Sequence, residues 1–425
     1  MSRVEPAAEL LPELLGLPVD RSVKLRDHPT AQKYLRNKAA AAARGELEDG
    51  NGTTPAAGVV SAAKLRQIAL DAGADDVAFV SVDAEMLASE KSYAELVLTG
   101  VRSYIAYCVR QNRANMRSVQ RSVMSLNFHA TTEEVDHVGR KIALALQDLG
   151  IAAVHPPAAF PMEQMEFPVR QWVISHKEVA EAAGLGRMGV HRSVIHPRFG
   201  SFIVLGTVLV AAEIDEHGSA LEYNPCLGCN LCVATCPVGA LSPDPDVGFD
   251  AYACYTHNYR DLHGILDNLG QIADSKNLED WRSRAGQGET MSTWQSLTYG
   301  SHYKAANCLS VCPAGEDVIG PFLEDRARHV REIVKPLQEK QELVYVEPGS
   351  RAHDHVIRRF PHKTPRLVSN GVRAPVPLNE IGIGRPEYRL ASQVGLLPRL
   401  RRSVWPKLRR VRSRGRGSES TQEQS

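Results

Sequence analysis

The sequence predicts an α+β fold: a layered domain of helices and short strands, followed by a smaller loop-rich domain built around cysteines. Two observations carry this. Helical and strand patterns alternate from Val59 to about residue 222, and seven of the eight cysteines fall between 226 and 312. With 425 residues, 43% of them hydrophobic, the chain can bury a sizeable core.

Residues 1–58 mix short helical patterns with an Ala-rich stretch and the polar spacer Glu46-Leu-Glu-Asp-Gly-Asn-Gly-Thr-Thr-Pro55, which reads as an N-terminal arm and linker. From Ala63 to Ala72 the periodicity is helical, with Gly73 as a C′ glycine. Asp76–Val82 and Ser103–Val109 read as strands. Thr131–Leu149 reads as a long helix, with Val135, Val138, Ile142, Leu146 and Leu149 along one side. The apolar run Phe202–Ala212 is too short to span a bilayer and reads as a buried strand. Tyr104 and Tyr107 read as core tyrosines, and Cys108 as a small buried residue.

Between helix and buried strand lies Ala183-Gly184-Leu-Gly186-Arg-Met188-Gly189-Val-His191, followed by His196-Pro-Arg198-Phe-Gly200-Ser201. The glycines match G-x-G-x-x-G in spacing only. The dinucleotide fingerprint needs strand, turn, helix, and here a helix comes first. Close backbone approach to a large ligand is the functional reading; a helix C-cap with a tight turn is the structural one.

Cys226-Leu-Gly-Cys229-Asn-Leu-Cys232-Val-Ala-Thr-Cys236-Pro237 has the spacing C-x2-C-x2-C-x3-C-P, the ferredoxin signature of a [4Fe–4S] cluster. In two-cluster ferredoxins the fourth cysteine of such a run serves the other cluster. Cys254 and Cys308-x3-Cys312-Pro313 supply the partner set. A zinc knuckle or buried structural cysteines fit this crowding less well. Thiolate ligands imply a reducing setting, and Met-Ser-Arg-Val-Glu-Pro carries no signal-peptide or twin-arginine pattern, so a soluble, cytoplasmic protein without a membrane span is expected.

Residues 321–340 read as a polar helix. Beyond Val346 periodicity weakens, and residues 399–416 carry nine Lys/Arg and no acid, read as a solvated tail. The net charge of +1 gives no global field toward nucleic acid or lipid.

With the glycine stretch, the His196–Ser201 turn and both cysteine groups in hand, the chain resembles the cobalamin-dependent iron–sulfur reductases, which comprise epoxyqueuosine reductase and the reductive dehalogenases. The resemblance covers roughly residues 60–330. It implies a nitroreductase-like α/β domain over residues 59–222 that holds base-off cobalamin, a ferredoxin-like domain with two [4Fe–4S] clusters over 223–333, and a C-terminal extension over 334–425. It further implies that Gly184, Gly186, Met188, Gly189, His191, His196 and Arg198 bind the cofactor. One cluster takes Cys226, Cys229, Cys232 and Cys312; the other takes Cys236, Cys254 and Cys308. Where the family has one more cysteine, this chain has Ala305. Either His302 or His257 completes that cluster, or it is a [3Fe–4S] form or has an open iron.

The acidic residue of the family's Asp-Ser/Thr-Gly-Pro stretch has no counterpart in His155–Pro168, so the proton source is sought among Glu163, Glu166, His176, Lys177 and His191, with His176 and Glu166 as the catalytic candidates. The expected function is reduction of an unidentified small organic substrate, with electrons from a ferredoxin or flavodoxin and no nucleic-acid partner. The alternative is an electron relay that has lost cobalamin.

Overall fold

The structure, a computed structural model, describes residues 27, 29–43, 58–161, 172–244, 246–284, 286–299 and 306–368. Residues 1–56 form one unit, in which the described element is helix α1, Pro29–Ala43. Residues 57–425 form the other.

In the second unit, strands β1 (Asp76–Ser81), β2 (Ser103–Arg110), β3 (Ala153–Val154) and β6 (Ile203–Val210) make an antiparallel sheet in the order β1-β2-β6-β3. β2 is buried along seven of its eight residues, because both faces of the sheet are covered. Alternation then sorts its side chains. Ile105, Tyr107 and Val109 join Val204, Val208 and Val210 in a core closed by helices α2 (Ala62–Ala72) and α3 (Arg121–Asp148). Tyr104, Ala106 and Cys108 face the opposite core, closed by Val179, Ala180 and Ala182 of helix α4, His176–Ala182. The result is a helix–sheet–helix sandwich in which the two apolar strands sit at the centre.

The sequence-predicted strands and α2 lie where periodicity placed them, with Gly73 at φ 117° ending α2. The long helix begins ten residues earlier than the apolar stripe suggested, at Arg121, since its first turns mix polar and apolar residues, and Met124 there packs into the cysteine core instead. Tyr104 and Tyr107 are core residues, at most 1% exposed, and the Tyr107 hydroxyl donates to the Val135 carbonyl at 2.8 Å. Gly206 makes that possible: it pairs with Tyr107 across the sheet, and any Cβ there would occupy the tyrosine ring.

A separate core holds the cysteines. Cys232 and Cys236 pack with Val238, Leu241, Ala253, Leu309, Val311 and Val318, and Cys254 and Cys308 lie partly buried against them. Residues 334–368 contribute to the same core through Val334, Leu337, Val344, Val346 and Val356. They do so on the parallel pair β7 (Leu343–Val346) and β8 (Thr364–Leu367) and the amphipathic helix Arg351–Arg359. In place of the single helix expected over 321–340 there are helices Glu316–Glu324 and Arg326–His329, a π-turn and helix Lys335–Glu339. The basic stretch 399–416 lies outside the described residues.

No described helix is long and apolar enough to cross a membrane. The architecture is a mixed helix and sheet one, as the sequence predicts.

Candidate metal centre and adjoining cleft

The loop entering the first cysteine run winds through two left-handed residues, Gly228 at φ 63° and Asn230 at φ 56°, the residue types that tolerate this conformation. Helix α5, Leu231–Thr235, then carries Cys232 inward, and Cys236 follows at its C-terminus. Cys226, Cys229, Cys232 and Cys312 come together in space. Burial pushes the Cys232 thiol up to about 12, and the neighbouring Cys312, Cys229 and Cys226 push it further the same way. Cys312 is pushed up to about 11 by burial, with Cys229 and Cys226 adding to it, against hydrogen bonds from the Ala314 amide and the Ser201 hydroxyl. Two buried thiols held protonated in this way, with two more beside them, need a polycation to become thiolates together, which is what an iron–sulfur cluster supplies.

The other three cysteines are provisioned differently. The Cys236 sulfur accepts from the Ala240 amide at 3.3 Å, and the amides of Val238, Leu241 and Gly239 also favour its thiolate, although burial dominates and raises it. The Asn258 side-chain amide donates to the Cys254 sulfur at 2.9 Å. Cys254 and Cys308 both act on the Lys177 ammonium. Among the described residues no three His, Cys, Asp or Glu side chains converge on a single-ion position. A cluster asks for something else: separate sulfurs, one at each metal corner. The thiols present fit that requirement.

Ala305 and His302 lie outside the described residues. His257 is turned to another use. Its Nδ1 accepts from the Tyr345 amide at 3.4 Å, and it sits beside Glu342, Arg121 and Lys363.

At the glycine motif the Cβ directions are taken up by the chain itself. A Cβ at Gly184 (φ 80°) would fall on the Ser219 carbonyl, one at Gly186 would meet the Ile195 carbonyl at 2.6 Å, and one at Gly189 would meet the Ile195 side chain at 2.6 Å. The chain's own backbone and core fill the space beside these glycines. Met188 takes part in a short hairpin, β4 (Arg187–Met188) with β5 (Val194–Ile195), and its amide donates to Glu181 at 3.3 Å.

His196 and Arg198 likewise serve the fold. His196 Nε2 pairs with Asp76 at 2.9 Å, its Nδ1 accepts from the amides of Arg198 and Phe199, and its ring stacks on Phe199. Arg198 bridges to Asp317 at 3.2 Å. The turn they form docks on the segment after Cys312: Glu316 and Asp317 amides donate to the carbonyls of Pro197 and Arg198 at 2.9 and 3.0 Å. Gly200 (φ 66°) and Gly315 (φ 106°) meet face to face there, and neither has room for a Cβ. The motif therefore positions Cys312.

His176 is also placed in the core. Its Nε2 donates to the Pro157 carbonyl at 3.0 Å and its Nδ1 accepts from the Thr207 hydroxyl at 2.9 Å, so both nitrogens are committed to neutral imidazole. Burial holds its pKa below the usual histidine range. Glu163 and Glu166 lie outside the described residues.

What does face the second cysteine group is Lys177. Its side chain is exposed, yet protein crowds it enough that burial lowers its pKa, with Cys254 and Cys308 pulling the other way and Arg192 adding to the drop. Its Nζ donates to the Arg192 carbonyl at 2.7 Å. Beside it, His191 is buried and its Nε2 has no partner among the described residues; burial and then Lys177 bring its pKa down to about 4. Burial and then Cys254 raise the phenol of Tyr259, whose ring meets Phe160 edge-on at 6.3 Å. Tyr259 escaped the sequence reading because its one signal is a five-residue step past Cys254.

No family model matches the chain. An epoxyqueuosine reductase from Staphylococcus aureus is 33% identical over 93 residues, 22% of this chain and 24% of that protein. One from Gloeobacter violaceus is 27% identical over 169 residues, 38% of this chain and 47% of that protein. The matches thus span a quarter to a half of those relatives' length. A solved epoxyqueuosine reductase with a tRNA-Tyr epoxyqueuosine-modified tRNA stem loop covers 79% of this chain and 88% of its own, at 15% identity and a TM-score of 0.32. The expectation of a small organic substrate and no nucleic-acid partner is corrected by the curated relatives, which are named epoxyqueuosine reductases.

Proposed function

The chain is a sequence relative of the epoxyqueuosine reductases, and we propose that it is an iron–sulfur, cobalamin-type reductase acting on a modified nucleoside carried by tRNA. The observation that carries this is the sorting of cysteines. Cys226, Cys229 and Cys232 from one loop gather with Cys312, which comes from a distant segment. Cys236 lies in the same core as Cys232, with Cys254 and Cys308 packed against it, and Lys177 lies beside Cys254 and Cys308. We place the first set on one cluster and the second on another, with a corrinoid beside Lys177, His191 and Tyr259. The division into a nitroreductase-like part over 59–222 and a ferredoxin-like part over 223–333 belongs to the same proposal.

When bound, the clusters supply one-electron transfer and the corrinoid a strongly reducing centre. The chain's residues do the rest. Ser201, Asn258 and the amides following Cys236 donate to the sulfurs and favour the thiolates. The rings of Phe160 and Tyr259 meet edge-on beside Cys254. Lys177 holds a proton there, on a nitrogen whose pKa burial has already lowered. That gives the site a proton donor without the family's aspartate.

The test is direct. Protein reconstituted anaerobically with iron, sulfide and cobalamin should convert epoxyqueuosine to queuosine in tRNA, read by mass spectrometry of digested nucleosides. Lys177→Met should lower kcat by ~10²-fold or more with iron content unchanged. Cluster-loaded protein that leaves epoxyqueuosine tRNA untouched would sink the reading.

A further inference from the structure

Residues 334–368 follow the stretch that resembles the reductases and carry no cysteine, yet they pack into the cysteine core. Two of their side chains reach the first cysteine run. Gln338 donates to the Ala234 carbonyl at 2.9 Å, in the helix α5 that leads to Cys236. His355 lies on the turn that follows Cys236. A Cβ at Gly239 would fall 2.7 Å from its ring, and the Cys236 carbonyl faces the same ring.

That turn is wound tightly around a sulfur. The Gly239 amide donates to the Cys236 carbonyl at 3.3 Å, with Gly239 at φ 61°, a conformation open to glycine without strain. The Ala240 amide then donates to the Cys236 sulfur at 3.3 Å, and the amides of Val238, Gly239 and Leu241 also favour its thiolate. Glycine at the apex leaves the turn without a side chain of its own to fix it, and the His355 ring fills that place. The ring is backed in turn. Phe360, 3% exposed, meets it at 5.8 Å, and the Lys363 ammonium, paired with Glu342, lies 5.7 Å over the Phe360 ring. The imidazole therefore cannot retreat without displacing buried partners.

We propose that His355 is a positioning residue for the second cluster: its ring presses on Gly239 and holds the Val238–Leu241 amides on the Cys236 sulfur. Hydrogen bonds to cluster sulfurs set the reduction potential. Residues 334–368 thus adjust the cluster beside Lys177 without contributing a ligand to it. The proposal rests on the assignment of Cys236 to that cluster. Its readouts need no turnover, so a failure to reduce epoxyqueuosine would leave it standing.

EPR-monitored redox titration and amide hydrogen exchange of the anaerobically reconstituted protein test this. His355→Ala should lower one midpoint, the one that Asn258→Leu also lowers and Ser201→Ala leaves in place, because Asn258 donates to Cys254 and Ser201 to Cys312. Exchange of the Val238–Leu241 amides should quicken about tenfold or more in the same variant. His355→Phe keeps a ring over Gly239 and should hold the parental midpoints and exchange. Iron content should be unchanged in both. Parental midpoints in His355→Ala, or a shift only of the midpoint that Ser201→Ala moves, would overturn the proposal. So would a raised midpoint, which would mean water on the sulfur in place of amides, or a His355→Phe variant altered as much as His355→Ala.

Discussion

Single residues here show how one side chain's surroundings decide its role. His257 is buried with its Nε2 unmatched among the described residues, and burial, tempered by Glu342 against Arg121 and Lys363, brings its pKa down to about 4. In an unfolded chain a histidine titrates near ~6.5. Below that pH the unfolded state takes up a proton that the folded state refuses. Stability therefore falls as pH drops from about 6.5 to 4 and levels off below, a loss on the order of 3 kcal/mol for this residue. Urea unfolding of wild type and His257→Gln at pH 7 and pH 5 should show the slope flattened in the variant; equal slopes would remove His257 as the cause. Ser201 is the second case. Its hydroxyl lies between the Leu309 carbonyl, at 3.1 Å, and the Cys312 sulfur. Hydrogen bonds to cluster sulfurs raise the reduction potential, so Ser201→Ala should shift one of two EPR-monitored midpoints to lower potential. A variant with both midpoints unmoved would show that the hydroxyl serves only Leu309.

At the scale of elements, the His196–Ser201 turn and the segment after Cys312 act as one piece. Gly200 and Gly315 are both left-handed, and the carbonyl of Ala314 fills the space where a Gly200 side chain would go. Gly200→Ala should cost about 1–3 kcal/mol from backbone strain alone, and more from the collision. Since the docked turn places Cys312, the same change should lower the iron bound by about half, one cluster of two. Iron and acid-labile sulfide assays beside a thermal melt check this; a stable variant with full iron would break the link. The strands were legible because their residues alternate or run apolar over a strand's length. The glycine motif was not legible, because a sequence cannot say whether a ligand or the chain itself fills the space beside a glycine. Here Ile195 and the Ser219 carbonyl fill it.

Over the whole second unit, a buried ion cluster ties the long helix to the C-terminal part of the cysteine core. Glu342 bridges Arg121, the first residue of α3, and Lys363, which lies just before β8 and also donates to the Leu337 and Lys340 carbonyls at 3.3 and 2.6 Å. Burial by itself would raise the Glu342 carboxyl, but Arg121, His257 and Lys363 hold it below the usual carboxylate range. Its contribution is thus present above the unfolded glutamate pKa of about 4.3 and is lost as pH falls through the depressed folded value. Removing one member leaves the others buried and unbalanced. Glu342→Gln should destabilise by about 3–5 kcal/mol in denaturant unfolding at pH 7, and a cost below 1 kcal/mol would mean that water reaches the cluster.

The sequence by itself determined the three long strands β1, β2 and β6, the sandwich helices and the number of the cysteines, because periodicity and ligand spacing are local properties of a chain. Tertiary structure alone decided that His176 and His196 brace the fold and that Lys177 and Tyr259 face the second cysteine group. The physical reason is that each of these roles depends on which distant segment fills the neighbouring space.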